Sequence, residues 1–134
     1  VLDINLEFLF EEYKKDRPVQ VIRAKERASV KEDDTIYEEL ARPSSTDPDN
    51  SLEAYVLRIP AGSYTHKGSY GHIGREIGYI LKGKAKLTYE NKEFLLEEGD
   101  SVSFSATVSH KLDNIGEGDL EAVWVVTPAQ RFSK

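Results

Sequence analysis

The sequence predicts an all-β fold, a small antiparallel barrel or sandwich. In its second half, short stretches alternate between apolar and polar residues, which is the pattern of strands with one buried face. Turn-forming residues separate these stretches at a spacing of roughly ten residues, which is typical of sandwiches and barrels. A chain of 134 residues is long enough for one domain with one core.

The strands that this pattern predicts are short and regularly spaced. They span residues 52–59, 76–81, 85–89, 93–96, 101–104, 111–114 and 120–127. The turns between them contain glycine, proline, asparagine and aspartate, the residues that favour chain reversal. Two earlier segments, residues 19–24 and 36–40, are also predicted to be strands.

A short helix is expected before the first strand. Asn5 can cap it, because the side-chain oxygen of asparagine accepts hydrogen bonds from the free amides of a first helical turn. The apolar residues that follow have the spacing of one helix face: Leu6, Leu9, Phe10 and Tyr13. Pro18 ends the helix, since proline lacks an amide hydrogen.

Composition excludes several classes of function. The net charge of −6 repels nucleic-acid phosphates, so these residues are not expected to bind nucleic acid directly. The sequence has no cysteine, which rules out disulfides, thiolate metal sites and cysteine nucleophiles. No apolar run reaches the roughly 18 residues of a membrane span, and we therefore expect a cytoplasmic protein without membrane contact.

Three residues have the side chains and the placement of a metal site. His72 and Glu76 lie four positions apart, and His110 follows further along the chain. Positions four apart share one face of a strand, but in an extended chain their Cα atoms would be about 13 Å apart, near the limit for sharing one ion. Gly71 and Gly74 can provide the bend that turns His72 towards Glu76. We therefore expect these three residues to bind one divalent metal.

A structural role is the alternative for the same residues. A histidine that faces the interior can be held by hydrogen bonds, and Glu76 can pair with it and with Tyr70 in a satisfied polar cluster. The mutual placement of three ligand types supports the metal, because it is rarer than any one of them alone. Beside the metal, we expect Tyr64, Tyr70 and His66 to line a ligand pocket, and Tyr79 is a further candidate for its wall. Trp124 is expected to belong to the core.

The spacing around Glu76 resembles a known motif. Gly83 follows Glu76 after six intervening residues, and this looks like the first motif of the cupin superfamily, in which a His-x-His pair precedes a glutamate and a glycine. His72 matches the second histidine of that pair. Residues 99–114 are similar to the second cupin motif. The residues in register there are Gly99, His110 and Asn114.

The resemblance covers residues 52–128 and implies a double-stranded β-helix, the cupin jelly-roll barrel, here with a short N-terminal helix. Tyr70 stands where the first histidine of the family belongs, Ser105 replaces the usual proline and Thr107 the usual glycine. The ligands that remain are His72, Glu76 and His110. Such a set is used by non-haem Fe(II) oxygenases, and its spacing also resembles the triad of hydroxypropylphosphonate epoxidase. The resemblance implies a divalent metal, Fe, Zn, Ni or Mn, and fixes none of them.

The start of the chain resembles transcriptional regulators. Residues 2–10 look like the closing segment of an Xre-type helix-turn-helix domain, and residues 17–23 are similar to the first strand of the cupin that follows in such regulators. The resemblance implies that residues 1–17 are the end of a helix-turn-helix domain with a connecting helix, and that residues 18–134 are a cupin domain. Because the chain begins at Val1 and contains no methionine, we expect it to be a piece of a longer protein.

Two functions follow from the resemblance. In the first, the chain is the effector-binding domain of a bacterial transcriptional regulator. A small polar metabolite, such as an amino acid or a polyamine, then changes the arrangement of a homodimer and so DNA binding by a helix-turn-helix domain outside this sequence. In the second, it is a mononuclear non-haem Fe(II) oxygenase or epoxidase in which Tyr70 orients the substrate. Tyr70 in place of a ligand favours sensing over catalysis. A third option is a barrel kept for stability and dimerisation alone.

Overall fold

The structure is a computed structural model that describes residues 19–42, 51–65 and 71–129. Within these ranges a 3-10 helix at Ala24–Glu26 precedes nine strands. The strands are β1 Ser29–Glu32, β2 Thr35–Ala41, β3 Glu53–Ile59, β4 Arg75–Lys82, β5 Ala85–Tyr89, β6 Lys92–Leu96, β7 Ser101–Ser105, β8 His110–Asn114 and β9 Leu120–Thr127. Among the described residues, no helix has the length and hydropathy needed to cross a membrane.

The strands form two antiparallel sheets whose inner faces share one core. The larger sheet has the order β1-β2-β3-β9-β4-β7 and the smaller one the order β6-β5-β8. The chain therefore crosses between the sheets repeatedly, because β4 and β7 are neighbours in the large sheet while β5 and β6 belong to the small one. The core contains buried residues from both sheets, for example Leu57 and Ile80 from the large one and Leu87 from the small one. The predicted jelly-roll barrel is confirmed.

The interior of the barrel changes from apolar to polar along the strands. One row of cross-strand neighbours contains Leu57, Ala122 and Ile80, which are all buried. The row at the other end of the same strands contains the buried carboxylates Glu53 and Glu76, with Val126 between them. Ionisable side chains therefore collect at one end of the barrel.

Strand prediction was correct from β2 onward and wrong before it. Residues 19–24, predicted as a strand, lead into the 3-10 helix instead, and the side chains of Val19 and Val21 are 71% and 62% exposed. The first strand is β1, whose side chains are all exposed, so it has no apolar alternation for a sequence pattern to detect. A turn at Asp33, with a φ of 54°, aligns β1 with β2, and aspartate is one of the residues that tolerate this conformation. The predicted helix within residues 1–17 lies outside the described residues.

Asn114 joins strand β8 to two other parts of the barrel. Its buried amide nitrogen donates to the backbone oxygen of Ile59 at 2.7 Å and to that of Gly118 at 2.8 Å. Its side-chain oxygen accepts from the amide of Gly116 at 2.8 Å. Asn114 therefore holds the turn before β9 against the end of β3.

We expect Asn114→Ala to lower the free energy of unfolding by about 2–4 kcal/mol, because it leaves buried backbone groups without partners. Urea denaturation followed by circular dichroism measures the change. Asn91→Ala is the matched control, since Asn91 is exposed in the turn between β5 and β6, and its effect should stay within about 0.5 kcal/mol. Equal losses in the two variants would contradict this role for Asn114.

Candidate metal centre

His72, Glu76 and His110 meet at the polar end of the barrel. Glu76 is on β4 of the large sheet, His110 begins β8 of the small sheet, and His72 lies in the loop before β4. Nε2 of His72 is 2.6 Å from Oε2 of Glu76, and Nε2 of His110 is 2.8 Å from the same oxygen. One ligand atom from each residue lies within 4.8 Å of the others. The structure thus brings together the three residues that the sequence singled out.

The loop before β4 is bent by two glycines, as the sequence predicted. Gly71 has a φ of +80° and Gly74 a φ of +122°, a region that residues with a side chain rarely adopt. The amide of His72 donates to the backbone oxygen of Ala106 at 2.6 Å, and the amide of Ala106 donates to that of Gly74 at 2.8 Å. A Cβ atom on Gly74 would lie 2.3 Å from a backbone oxygen of β9. The loop is therefore held closely against its neighbours, and His72 is turned towards Glu76.

Backbone oxygens orient both imidazole rings. Nδ1 of His110 lies 2.8 Å from the backbone oxygen of Val108, and Nδ1 of His72 lies 3.1 Å from that of Ile73. Because a carbonyl oxygen only accepts, each Nδ1 carries the hydrogen, and in a neutral ring Nε2 then presents its lone pair. Both lone pairs face the carboxylate of Glu76. Lone pairs on two nitrogens and on Oε2 of Glu76 repel one another at these distances. They are held together only if protons or a metal ion lie between them.

The donor set fits a divalent transition metal. Neighbouring ligands of an octahedral ion with bonds of about 2.1 Å lie about 3.0 Å apart, so the histidine nitrogens, now 2.6 and 2.8 Å from Oε2 of Glu76, would each move by a few tenths of an ångström or more to admit an ion. Two imidazoles and one carboxylate suit Fe(II), Zn, Ni and Mn. The site is also shielded, since only the side chain of His72 is appreciably exposed, at 18%. His72, Glu76 and His110 are therefore suited to hold such an ion.

Trp124 contacts the oxygen of Glu76 that the histidines leave free. The indole Nε1 donates to Oε1 of Glu76 at 2.6 Å. Trp124 lies on β9 directly opposite Gly78 on β4, and its ring covers that glycine. The prediction that Trp124 belongs to the core is confirmed, and its bond to the candidate ligand is an addition that the sequence did not predict.

Aromatic rings form the apolar side of the site. The ring of Phe104 lies 4.9 Å from that of His110 and 6.4 Å from that of Trp124, between centroids. Tyr89 packs edge-on against Phe104 at 5.4 Å, and its hydroxyl donates to the backbone oxygen of Ser105. Sequence analysis missed Phe104 and Tyr89 as neighbours of the site. The alternation within β7 marks Phe104 as buried, but only the pairing of β7 with β4 brings it beside Glu76.

Glu76 and His110 each shift the pKa of the other towards the charged form. Burial alone would raise the pKa of Glu76, but hydrogen bonds from His110 and Trp124, the charge of His110 and the bond from His72 outweigh it and hold the pKa below its usual range. Burial alone would lower the pKa of His110, but the hydrogen bond to Glu76 and its negative charge raise it. Without a metal, the pairing therefore favours the ionised forms of both residues, the carboxylate of Glu76 and the imidazolium of His110, over their neutral forms.

Of the three residues expected to line a ligand pocket, one is described. Tyr64 forms a backbone bridge to Asp113 on β8, and its ring lies 4.5 Å from Nζ of Lys111. Lys111 and Asp113 alternate with the buried residues of β8, so this contact is on the outer side of the small sheet. His66 and Tyr70 lie outside the described residues. The ligand-binding role of all three residues stays a prediction. Tyr79 is 45% exposed on the face of β4 opposite to Glu76, so it does not line the interior of the barrel.

Comparisons with known proteins agree with the fold. The model of the cupin domain family (Cupin_2) matches residues 55–126. An uncharacterized protein of Methanocaldococcus jannaschii is 31% identical over 94 residues, which cover 69% of this chain and 72% of that protein.

Solved structures extend the comparison. Hydroxypropylphosphonic acid epoxidase from S. wedmorenis superposes with a TM-score of 0.69 at 24% identity, over 83% of this chain and 60% of that chain. The cupin_2 domain of an XRE family transcriptional regulator from Enterobacter cloacae gives a TM-score of 0.60 at 13% identity, over 69% of this chain and 94% of that chain. The chain thus spans about three fifths of the epoxidase and nearly all of the regulator's cupin domain. At these identities the likeness concerns the fold.

We expect the stability of the metal-free protein to fall as the pH rises above the ordinary histidine pKa of about 6.5. The pKa of His110 is raised in the folded state, so its contribution is fully present below the unfolded value and is lost as the pH passes the folded value. Glu76 has a lowered pKa, so its contribution is present above its ordinary value and is lost only in acid. Thermal unfolding of chelator-treated protein from about pH 6 to pH 9 measures the effect. His110→Gln should flatten this dependence, and parallel curves for the two proteins would contradict the pairing.

Proposed function

This chain belongs to the cupin domain family, and we propose that it binds a small polar molecule inside its barrel at a divalent metal ion held by His72, Glu76 and His110. The observation that carries the proposal is the convergence of two Nε2 atoms and one carboxylate oxygen within 4.8 Å at a shielded end of the barrel. A metal held by three protein groups keeps further coordination positions for ligand atoms. The polar groups of a metabolite then bind the metal, while the aromatic rings exclude water.

The proposed role of this binding is regulation of transcription. The chain serves as the effector-binding domain of a bacterial regulator, and DNA is contacted by a helix-turn-helix domain outside this sequence. Support comes from the fold likeness to the regulator's cupin domain, of which 94% is covered. The net charge of −6 also fits a domain that leaves DNA contacts to another part of the protein. Such a regulator acts in the cytoplasm, and its effector is an amino acid, a polyamine or a similar polar metabolite.

A homodimer is part of this proposal, and the large sheet offers a surface for it. Ile77 and Tyr79 on β4 are 48% and 45% exposed, and Val125 and Val123 on β9 lie directly beside them in register. Arg58, at the rim of this face, pairs with carboxylates on both neighbouring strands. An apolar centre with both signs of charge at its rim suits a second copy related by a two-fold axis. Effector binding then shifts the population between two arrangements of the dimer.

A second candidate function is a mononuclear Fe(II) oxygenase or epoxidase. The same three residues favour it, together with the fold likeness to hydroxypropylphosphonic acid epoxidase from S. wedmorenis, which has a TM-score of 0.69 at 24% identity. Bound Fe(II) would supply open positions for oxygen and substrate. His72, Glu76 and His110 would hold the ion, and Tyr70 would orient the substrate.

We expect anaerobic Fe(II) to bind the purified protein with one ion per chain. Glu76→Ala should weaken binding more than about 100-fold, because even the loss of a group behind a ligand typically costs 10–100-fold. Isothermal titration and metal analysis measure both quantities, with Zn, Ni and Mn as further ions. Glu117→Ala is the control, since Glu117 is exposed in the turn before β9. A reconstituted wild-type protein that holds none of these ions would contradict the proposal.

The two roles separate when the metal-loaded protein is titrated with amino acids and polyamines. If the chain is a regulator domain, one of these compounds should bind, remain chemically unchanged and shift the sedimentation coefficient of the dimer. If the chain is an enzyme, a product should form and oxygen should be consumed. Mass spectrometry and an oxygen electrode measure these two quantities. Turnover of any compound in the absence of effector binding would contradict the regulatory role.

We expect Ile77→Asp to convert the dimer to a monomer, because it buries a charge at the centre of the proposed interface. Analytical ultracentrifugation of the variant and the wild type measures the change. Ile115→Asp is a closely matched control, since the exposed fraction of Ile115 is 47% and that of Ile77 is 48%. A wild-type monomer, or a dimer that survives Ile77→Asp, would contradict this interface.

A further inference from the structure

We propose that Trp124 is a positioning residue of the metal centre: its indole holds one oxygen of Glu76 so that only the other oxygen is offered to the metal. The inference rests on the proposed metal site and adds a residue and a coordination mode to it. The carboxylate has two oxygens with separate partners. Oε1 accepts from Nε1 of Trp124 at 2.6 Å, whereas Oε2 lies 2.6 and 2.8 Å from Nε2 of His72 and His110.

The indole can only hold a carboxylate oxygen; it cannot itself become a metal ligand. An indole nitrogen is a donor only, so it cannot bind a metal and cannot be exchanged for one of the ligands. Its hydrogen bond is to an ionised group in a buried site, where such bonds are short and strong. The bond uses one lone pair of Oε1 and holds this oxygen turned towards the indole, so we infer that the carboxylate binds a metal through Oε2, which faces the two histidines. A carboxylate that uses one oxygen leaves one more coordination position for the ligand than a bidentate carboxylate does.

Gly78 is the residue that lets the indole reach this position. It faces Trp124 directly across the β4 and β9 pair, and a Cβ atom at this glycine would lie 2.0 Å from Cζ3 of the indole. The requirement is for space, because the backbone of Gly78 does not have a positive φ. Glycine in the middle of a strand weakens the strand, and it is found where another group must approach closely. The space left by Gly78 therefore lets the indole of Trp124 lie where it can donate to Oε1 of Glu76.

The sequence contains one tryptophan, so its fluorescence reports on the site directly. Co(II) is a suitable probe, because its visible absorption depends on the number and type of its ligands. In the wild type, we expect Co(II) to quench the emission of Trp124 and to saturate at one ion per chain. The stability of the metal-free protein, from thermal unfolding, is measured in parallel so that folding and metal binding are separated.

Two variants test the inference by different routes. Trp124→Phe removes the donor and keeps an aromatic ring, and Gly78→Ala keeps the indole but displaces it from Glu76. Each should weaken Co(II) affinity by about 10–100-fold, the usual effect of losing a group that supports a metal ligand, and each should change the Co(II) absorption spectrum. Tyr55→Phe is the matched control, because the hydroxyl of Tyr55 also donates to a buried carboxylate, that of Glu53. It should keep wild-type affinity and the wild-type spectrum.

The outcomes distinguish this inference from the proposed function. Wild-type affinity and an unchanged Co(II) spectrum in Trp124→Phe would overturn the positioning role and leave the metal site in place. A wild-type protein that binds no metal would overturn both. If Trp124→Phe does not fold, Gly78→Ala is the test of the inference. Unchanged tryptophan emission and unchanged Co(II) affinity in Gly78→Ala would then overturn it. Equal losses in Tyr55→Phe and Trp124→Phe would also overturn it, since the effect would then be a general one of the core.

Discussion

The rest of the site depends on one buried charge, the carboxylate of Glu76. An ionised carboxylate inside a barrel is costly unless every electron pair has a partner, and three side chains from three separate strands or loops provide them. His72, His110 and Trp124 converge on it, each held by its own backbone environment. The polar end of the barrel is therefore organised around a negative charge that either protons on the histidines or a metal cation can neutralise.

Much of this arrangement could be predicted from the sequence, because the rules involved are local. Alternation of apolar residues marks a strand with one buried face, so the strands from β2 to β9 were found, whereas β1, whose side chains are exposed on both faces, gave no signal. The glycines around His72 predicted the bend, since few other residues adopt a positive φ. The bond from Trp124 to Glu76 could not be predicted, because it depends on the register between β9 and β4, which sequence spacing does not contain.

The same three ligands are compatible with sensing and with catalysis. A cupin barrel hosts both kinds of function, and fold likeness to a regulator domain and to an epoxidase does not distinguish them. The physical difference lies in what the bound molecule does next. A sensor converts binding into a different arrangement of two barrels, while an enzyme uses the metal to change a bond. In the proposed regulator, Ile77 would link the site to the dimer surface, because Glu76 and Ile77 are successive residues of β4 with opposite orientations.

The most direct test of the central claim is anomalous diffraction from crystals reconstituted anaerobically with Fe(II), recorded on both sides of the iron absorption edge. We predict one strong anomalous peak per chain, bonded to Nε2 of His72, Nε2 of His110 and Oε2 of Glu76, with Oε1 still hydrogen-bonded to Trp124. No peak at this point, with the histidine nitrogens still in direct contact with the carboxylate, would contradict the account.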